Sequence, residues 1–167
     1  YTPWEWHEKI IKKCKSYGIT CFSTPFDVTA VDFLEKLNIP AYKIASFEIT
    51  DFQLIQRVAR TKKPIILSTG MATKLEIREA LNIIKKNGNN KVAILKCTSA
   101  YPAPYENINL KTIKNMREIF NCEVGLSDHT LGIGTSIASI AMGASIIEKH
   151  FTLDRKKGGI DSAFSLE

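Results

Sequence analysis

Two of the three histidines, His129 and His150, each close an apolar run that reads as a β-strand, Val124–Leu126 and Ser145–Ile147. Adjacent strands lie about 4.8 Å apart, so imidazoles at two such ends can share one divalent cation. The two-residue strand period puts Ser127 on the face of His129 and Glu148 on that of His150. Two nitrogens supplemented by oxygens suit Mn²⁺ first, with Mg²⁺ or Co²⁺ as alternatives, better than a closed structural zinc. Asp128 and Glu148 are open to two readings. Either they are carboxylates serving that site, or they are members of ion pairs with Lys96 or Lys149. His7 falls on an amphipathic stretch and reads as a surface residue.

Lys43, within the run Ala41–Ala45, and Ser46, Ser68, Ser99 and Ser127, at the ends of apolar runs, supply a cation and hydroxyl donors around the same place. One point charge with several short hydroxyl donors is what convergent recognition of a phosphate or carboxylate requires. Singly, each serine is equally well explained as a helix cap. The run Leu131-Gly132-Ile133-Gly134 lacks the third glycine of a dinucleotide fingerprint. It is read as a tight turn whose free N–H groups face an anion. Asp154–Asp161 is charged and flexible, either a solvated linker or a substrate lid carrying Asp161.

Six apolar runs organise these residues: Ile19–Phe22, Ala41–Ala45, Pro64–Leu67, Val92–Leu95, Val124–Leu126 and Ser145–Ile147. They are continuous rather than alternating, as parallel strands covered on both faces require. Helical segments separate them. Thr2-Pro3-Trp4-Glu5, Thr50–Gln53 and Thr73–Glu76 carry capping-box signals, and Gly18 suits a helix end. Asn109 is placed to cap the helix through Ile113, Met116 and Phe120. Gly134–Met142 is short and apolar and is expected to be the most buried helix. Strand–helix alternation admits an open doubly wound sheet or a closed (β/α)₈ barrel. Every run ends in site-like residues, which favours a barrel mouth over a single switch point. The expected fold is therefore α/β, a TIM-type (β/α)₈ barrel fragment of about six βα units, strands 3 to 8. The first two strands are expected to lie outside this excerpt.

The chain has 167 residues, 44% apolar and 24% charged, which excludes a disordered segment. It has no run of about 18 apolar residues, so no membrane span is expected. The net charge of +6 comes mostly from lysines on polar helix faces. Without arginine–aromatic clusters it points to a small anionic substrate rather than to nucleic acid. Cys14, Cys21, Cys97 and Cys122 show no pairing pattern and read as reduced thiols of a cytoplasmic protein.

The runs Phe22–Asp27 (FSTPFD), Tyr42–Ser46 (YKIAS), Leu67–Ala72 (LSTGMA), Cys97–Pro104 (CTSAYPAP), Leu126–Thr130 (LSDHT) and Glu148–Thr152 (EKHFT) together resemble the sialic acid (nonulosonic acid) synthase family. Tyr101–Pro104 (YPAP) and Gly158–Glu167 (GGIDSAFSLE) are more similar to its pseudaminic acid branch than to its N-acetylneuraminate or legionaminic acid branches. Ile160 stands where proline is usual. The resemblance implies an enzyme that condenses phosphoenolpyruvate with an acetamido sugar. His129 and His150 would hold the metal, and Thr24, Lys43, Ser46, Ser68, Ser99 and Ser127 would hold phosphoenolpyruvate. Tyr101 and Asp161 would contact the sugar. The family also uses a glutamate and a lysine from the first two strands, and an arginine from the antifreeze-like C-terminal domain of a homodimer partner.

Overall fold

The computed structural model describes residues 2–167. Five strands form one sheet: β1 (Tyr42–Ile44), β2 (Ile65–Ser68), β3 (Val92–Cys97), β4 (Glu123–Asp128) and β5 (Ile147–Lys149). All pair in parallel and in chain order, β1 to β5, with no reversal. An open doubly wound sheet would reverse order at a switch point; unbroken succession is the arc of a barrel wall. The chain is thus a (β/α) barrel fragment.

The expected first strand is not formed. Ile19–Phe22 makes no ladder, and beside it Ser23 makes a single parallel bridge to Tyr42, so the described residues hold five strands rather than six. Ile19 and Phe22 are exposed, and among the described residues no strand flanks them on the outer side.

Six helices accompany the strands: α1 (Trp4–Ser16), α2 (Val28–Lys36), α3 (Phe52–Arg60), α4 (Lys74–Lys86), α5 (Thr112–Phe120) and α6 (Gly134–Ala141). The α4 capping box is made as its sequence predicts. Glu76 N donates to Thr73 Oγ1 at 3.3 Å, and Thr73 N donates to Glu76 Oε2 at 2.7 Å. Gly18 closes α1 in the left-handed conformation, with its N–H on Lys15 O. Three other caps differ by one or two residues. Pro3, not Thr2, is the N-cap of α1 and makes no side-chain cap. Asp51, not Thr50, caps α3 by accepting from Leu54 N at 3.0 Å. Lys111 precedes α5, while Asn109 accepts from Thr112 N through its carbonyl. A carboxylate outcompetes a neighbouring hydroxyl at such positions because it accepts a charge-assisted bond.

The two faces of the sheet have opposite characters. Tyr42, Ile44, Ile65, Leu67, Ile94, Val124 and Leu126 join Leu54, Ile55, Ile77, Ile84 and Ile113 of the helices in one apolar core. Residues of the other parity, Lys43, Ser68, Cys97, Ser127 and Glu148, line the inner face of the arc. Gly125 belongs to that face: a Cβ there would strike the Ile146 carbonyl and the Leu95 side chain. The expectation that α6 is the most buried helix is overturned. Thr135 and Ser139 face the protein, while Ile137 and Ile140 are 63% and 56% exposed. Thr135, Ser136 and Ser139 share one polar face of α6, and that face is the one turned inward. Here the bond from Ser136 Oγ to Asp128 Oδ2, 2.6 Å, helps choose the inward face.

Asp128 is the polar anchor on the helix side. It accepts from Thr130 N (2.9 Å), Thr130 Oγ1 (2.7 Å), Ser136 Oγ and Lys149 Nζ (3.0 Å). Of the two readings open for Asp128, the structure gives the ion pair with Lys149. The side chains are 0% and 6% exposed. Burial alone would raise this carboxyl, but Ser136, Thr130 and Lys149 hold its pKa below the ordinary 3.8. Asp128→Asn is expected to cost about 3–5 kcal/mol in denaturant unfolding, because it strands a buried ammonium. A depressed carboxylate pKa stabilises the fold above its unfolded value. This contribution is therefore expected to be complete above about pH 4 and to vanish as pH falls through the folded pKa, which a pH series of melts would show.

Candidate active site

His129 follows β4 and His150 follows β5, and their ring centroids are 5.3 Å apart. Parity holds as the strand period predicts, for Ser127 Oγ donates to Glu148 Oε1 at 2.7 Å across the inner face. Nδ1 of His129 lies 3.0 Å from the Thr98 carbonyl, which fixes that nitrogen as the donor and leaves Nε2 with a lone pair. His150 Nδ1 lies 3.6 Å from Asp161 Oδ2. Tyr101 stacks at a tilt on His129, with centroids 4.4 Å apart, and Phe164 packs 5.1 Å from His150.

The Asp154–Asp161 segment is held rather than loose. It forms a 3-10 turn at Arg155–Lys157, and Arg155 Nε donates to Ser165 O at 2.8 Å. Beyond it, Leu166 bridges Phe151 in parallel. These ties bring Asp161 to the imidazoles. Gly132 adopts φ +66°, as a tight turn in the Leu131–Gly134 run requires.

A cluster of donors sits beside the histidines. Lys43 Nζ donates to Ser68 Oγ (2.8 Å) and to the Ile44 carbonyl (3.2 Å), and lies 3.4 Å from Glu148 Oε2. Gly70 N donates to Ser46 Oγ at 3.0 Å. A Cβ at Gly70 would collide with Ser99 Oγ, Ser46 Oγ and Cys97 Sγ, so those three groups converge where only glycine fits. Lys43, Ser46, Ser68 and Ser127 are all buried. Thr24 lines a cavity of about 520 Å³ with Trp4, His7 and Phe33, and the preceding residue, Ser23, accepts from Lys43 N through its carbonyl.

Charge tuning centres on Cys97, whose Sγ is 4.0 Å from His129 Nδ1. Burial works to raise the thiol, but hydrogen bonds with His129 and Ser46 and the imidazole charge bring it down to about 7. His129 is correspondingly lifted above its ordinary value: burial opposes the shift, and Cys97 and the Thr98 carbonyl outweigh it. His150 is lowered, first by burial and then by the charge of His129. At pH 7 a limiting dose of iodoacetamide is expected to label Cys97 ahead of Cys122, which is equally half-buried but whose pKa is raised. Peptide mass spectrometry would read the order.

The imidazole pair suits a divalent cation through the chemistry of its free Nε2 lone pair and its tautomer-fixing partner. Among the described residues no group of three or more His, Cys, Asp or Glu is placed to hold a metal ion. A cation on His129 and His150 would therefore depend on oxygen ligands from substrate or water. No helix of the described residues is long and apolar enough to cross a membrane.

Residues 1–167 match the NeuB family throughout. The chain belongs to the NeuB family. It is 46% identical over 166 residues to the pseudaminic acid synthase of Campylobacter jejuni 81-176, covering 99% of this chain and 48% of that protein. It is also 46% identical over 163 residues to the N,N'-diacetyllegionaminic acid synthase of Campylobacter jejuni NCTC 11168, covering 96% and 49%. The crystal structure of N-acetylneuraminic acid synthetase from Leptospira borgpetersenii superposes with a TM-score of 0.96. It shows 34% identity and covers 99% of this chain and 58% of that one. This NeuB-family chain spans about half the length of the curated relatives it matches.

Four residues of this NeuB-family mouth escape a strand-period reading. Cys97 has the right parity but belongs to a residue type with no obvious partner until the fold supplies His129. Gly70 contributes a backbone N–H, which no side-chain pattern signals. Phe164 arrives from a 3-10 turn, Ser162–Phe164. Glu48 lies in another, Ser46–Glu48, with Oε2 buried and unpartnered, and burial raises its pKa. A carboxyl with one oxygen buried and without a partner among the described residues is suited to carry a proton.

Proposed function

We propose that the whole protein condenses phosphoenolpyruvate with the open-chain aldehyde of a 2,4-diacetamido-2,4,6-trideoxy hexose, forming a pseudaminic acid-type product and releasing phosphate. The observation that carries this reading is the adjacency of two sites on one inner face. One is an anion cradle of Lys43, Ser46, Ser68, Ser99, Ser127 and Gly70 N–H; the other is the imidazole pair, rimmed by Tyr101 and Asp161.

In this reaction C3 of phosphoenolpyruvate bonds to the aldehyde carbon. Water adds at C2, and the C–O bond to phosphate breaks, so the phosphate departs with its bridging oxygen. Lys43 neutralises the donor's phosphate and carboxylate, while the serines fix its orientation so that C3 faces the carbonyl. Tyr101 and Asp161 bind the acetamido sugar beside the histidines. A divalent cation bound by His129 and His150, Mn²⁺ with Mg²⁺ or Co²⁺ as alternatives, would supply Lewis acidity for the aldehyde oxygen. His129 and His150 would hold it through Nε2, with the Thr98 carbonyl and the Asp161 carboxylate orienting the rings.

The two Campylobacter relatives are equally identical to this chain, so sugar choice rests on the Tyr101–Pro104 and Gly158–Glu167 runs. Legionaminic acid or N-acetylneuraminate synthesis is the second reading. Incubating the whole protein with phosphoenolpyruvate and each acetamido sugar, with mass spectrometry of products, is the test. Phosphate release with the pseudaminic precursor is expected to exceed that with the other sugars at least about tenfold. Turnover of another sugar alone overturns the branch, and no condensation with any overturns the reaction.

A further inference from the structure

Three lysines are buried along the strands, and two of them have a carboxylate partner: Lys43 faces Glu148 and Lys149 faces Asp128. Lys96 does not. It is 8% exposed and lies on the helix side of β3, one residue before Cys97. Its Nζ donates to Thr98 Oγ1 at 2.5 Å, and it makes no ion pair among the described residues. An ammonium with three donors and one neutral partner is under-satisfied in that setting. Burial also holds its pKa below the ordinary lysine value.

A cavity of about 230 Å³ opens over this lysine, between α4 and α5. Thr69, Lys74 and Lys96 line its polar end, and Ile77, Met116 and Ile119 its apolar end. Lys74 and Thr112, which also lines it, are the first residues of α4 and α5, so two positive helix ends face the same space. Cation and apolar wall together select a monoanion with an organic body. Inorganic phosphate would leave several oxygens against hydrocarbon. The volume is below that of pockets for drug-sized ligands, which limits the body to about one ring or a short chain. We propose that this cavity is a binding site for a small organic carboxylate, with its carboxylate on Lys96 and its apolar body against Ile77, Met116 and Ile119. Lys96 is on the helix side of the sheet and Lys43 on the inner side, with Cys97 bordering the cavity between them, and the proposal does not rest on the reaction proposed above.

The test uses benzoate as the probe, titrated calorimetrically into the whole protein with and without saturating phosphoenolpyruvate. Saturable binding with Kd of about 10 mM or tighter is expected, unaffected by phosphoenolpyruvate. Lys96→Met, which keeps the stem and removes the charge, is expected to weaken it at least about tenfold. Ile119→Trp fills the apolar end from a half-buried position and is expected to do the same, so the site stays testable even where Lys96→Met misfolds. Undetectable binding, unchanged affinity in a folded variant, or competition by phosphoenolpyruvate overturns the proposal. Inorganic phosphate binding tighter than benzoate overturns the carboxylate assignment.

Discussion

Replacing His129 with alanine is expected to lower kcat/KM for the condensation at least about 10³-fold, because a Lewis-acid contribution of several kcal/mol goes with its ligand. Divalent-metal affinity is expected to fall in parallel, and His150→Ala is expected to behave alike. The double variant should be scarcely worse than either, since two ligands of one cation act as a unit. His129 also loses its bond to the Thr98 carbonyl, 3.0 Å, so a melt lowered by a few degrees is expected. Metal titration by calorimetry beside a phosphate-release assay separates the two effects. Metal binding unchanged in both single variants would remove the imidazole pair from the chemistry.

The second large effect is expected at Lys43. Lys43→Met retains the stem that packs along the inner face and removes the ammonium that faces Glu148 and Ser68. The Glu148 carboxylate then repels an anionic donor that Lys43 had balanced. A buried charge pair cut on one side costs about 2–5 kcal/mol, so KM for phosphoenolpyruvate is expected to rise about 10²-fold or more. Steady-state kinetics with phosphoenolpyruvate as the varied substrate would show it. A KM within about twofold of the parent would place the anion elsewhere than this cradle.

Much of this mouth was legible because parallel strands impose alternation. Lys43, Ser68, Ser127 and the two histidines are spaced so that a strand must present them on one side. The same rule misjudged Ile19–Phe22, where apolar character alone could not show that a flanking strand is needed to complete a ladder. Apolar content likewise misjudged α6, where the inward side is the polar face of Thr135, Ser136 and Ser139 and the isoleucines face outward. Asp128 was ambiguous for another reason: parity sends it to the helix side, but only the fold reveals Lys149 waiting there. Cys97, Gly70 and Glu48 depend on long-range neighbours or on backbone groups, and neither leaves a periodic trace. Residues such as Asp161 and Phe164 come from irregular turns, where spacing predicts no direction.

The alternation along β4 has one more outcome. Gly125, Ser127 and His129 look into the mouth while Val124, Leu126 and Asp128 look into the helices, so reactivity and scaffolding are threaded along one strand like two colours of a braid. Evolution can recolour one set residue by residue, retuning substrate choice with the framework intact. A single codon gained or lost there, by contrast, would turn the braid over, delivering Asp128 to the substrate and an imidazole to the hydrocarbon.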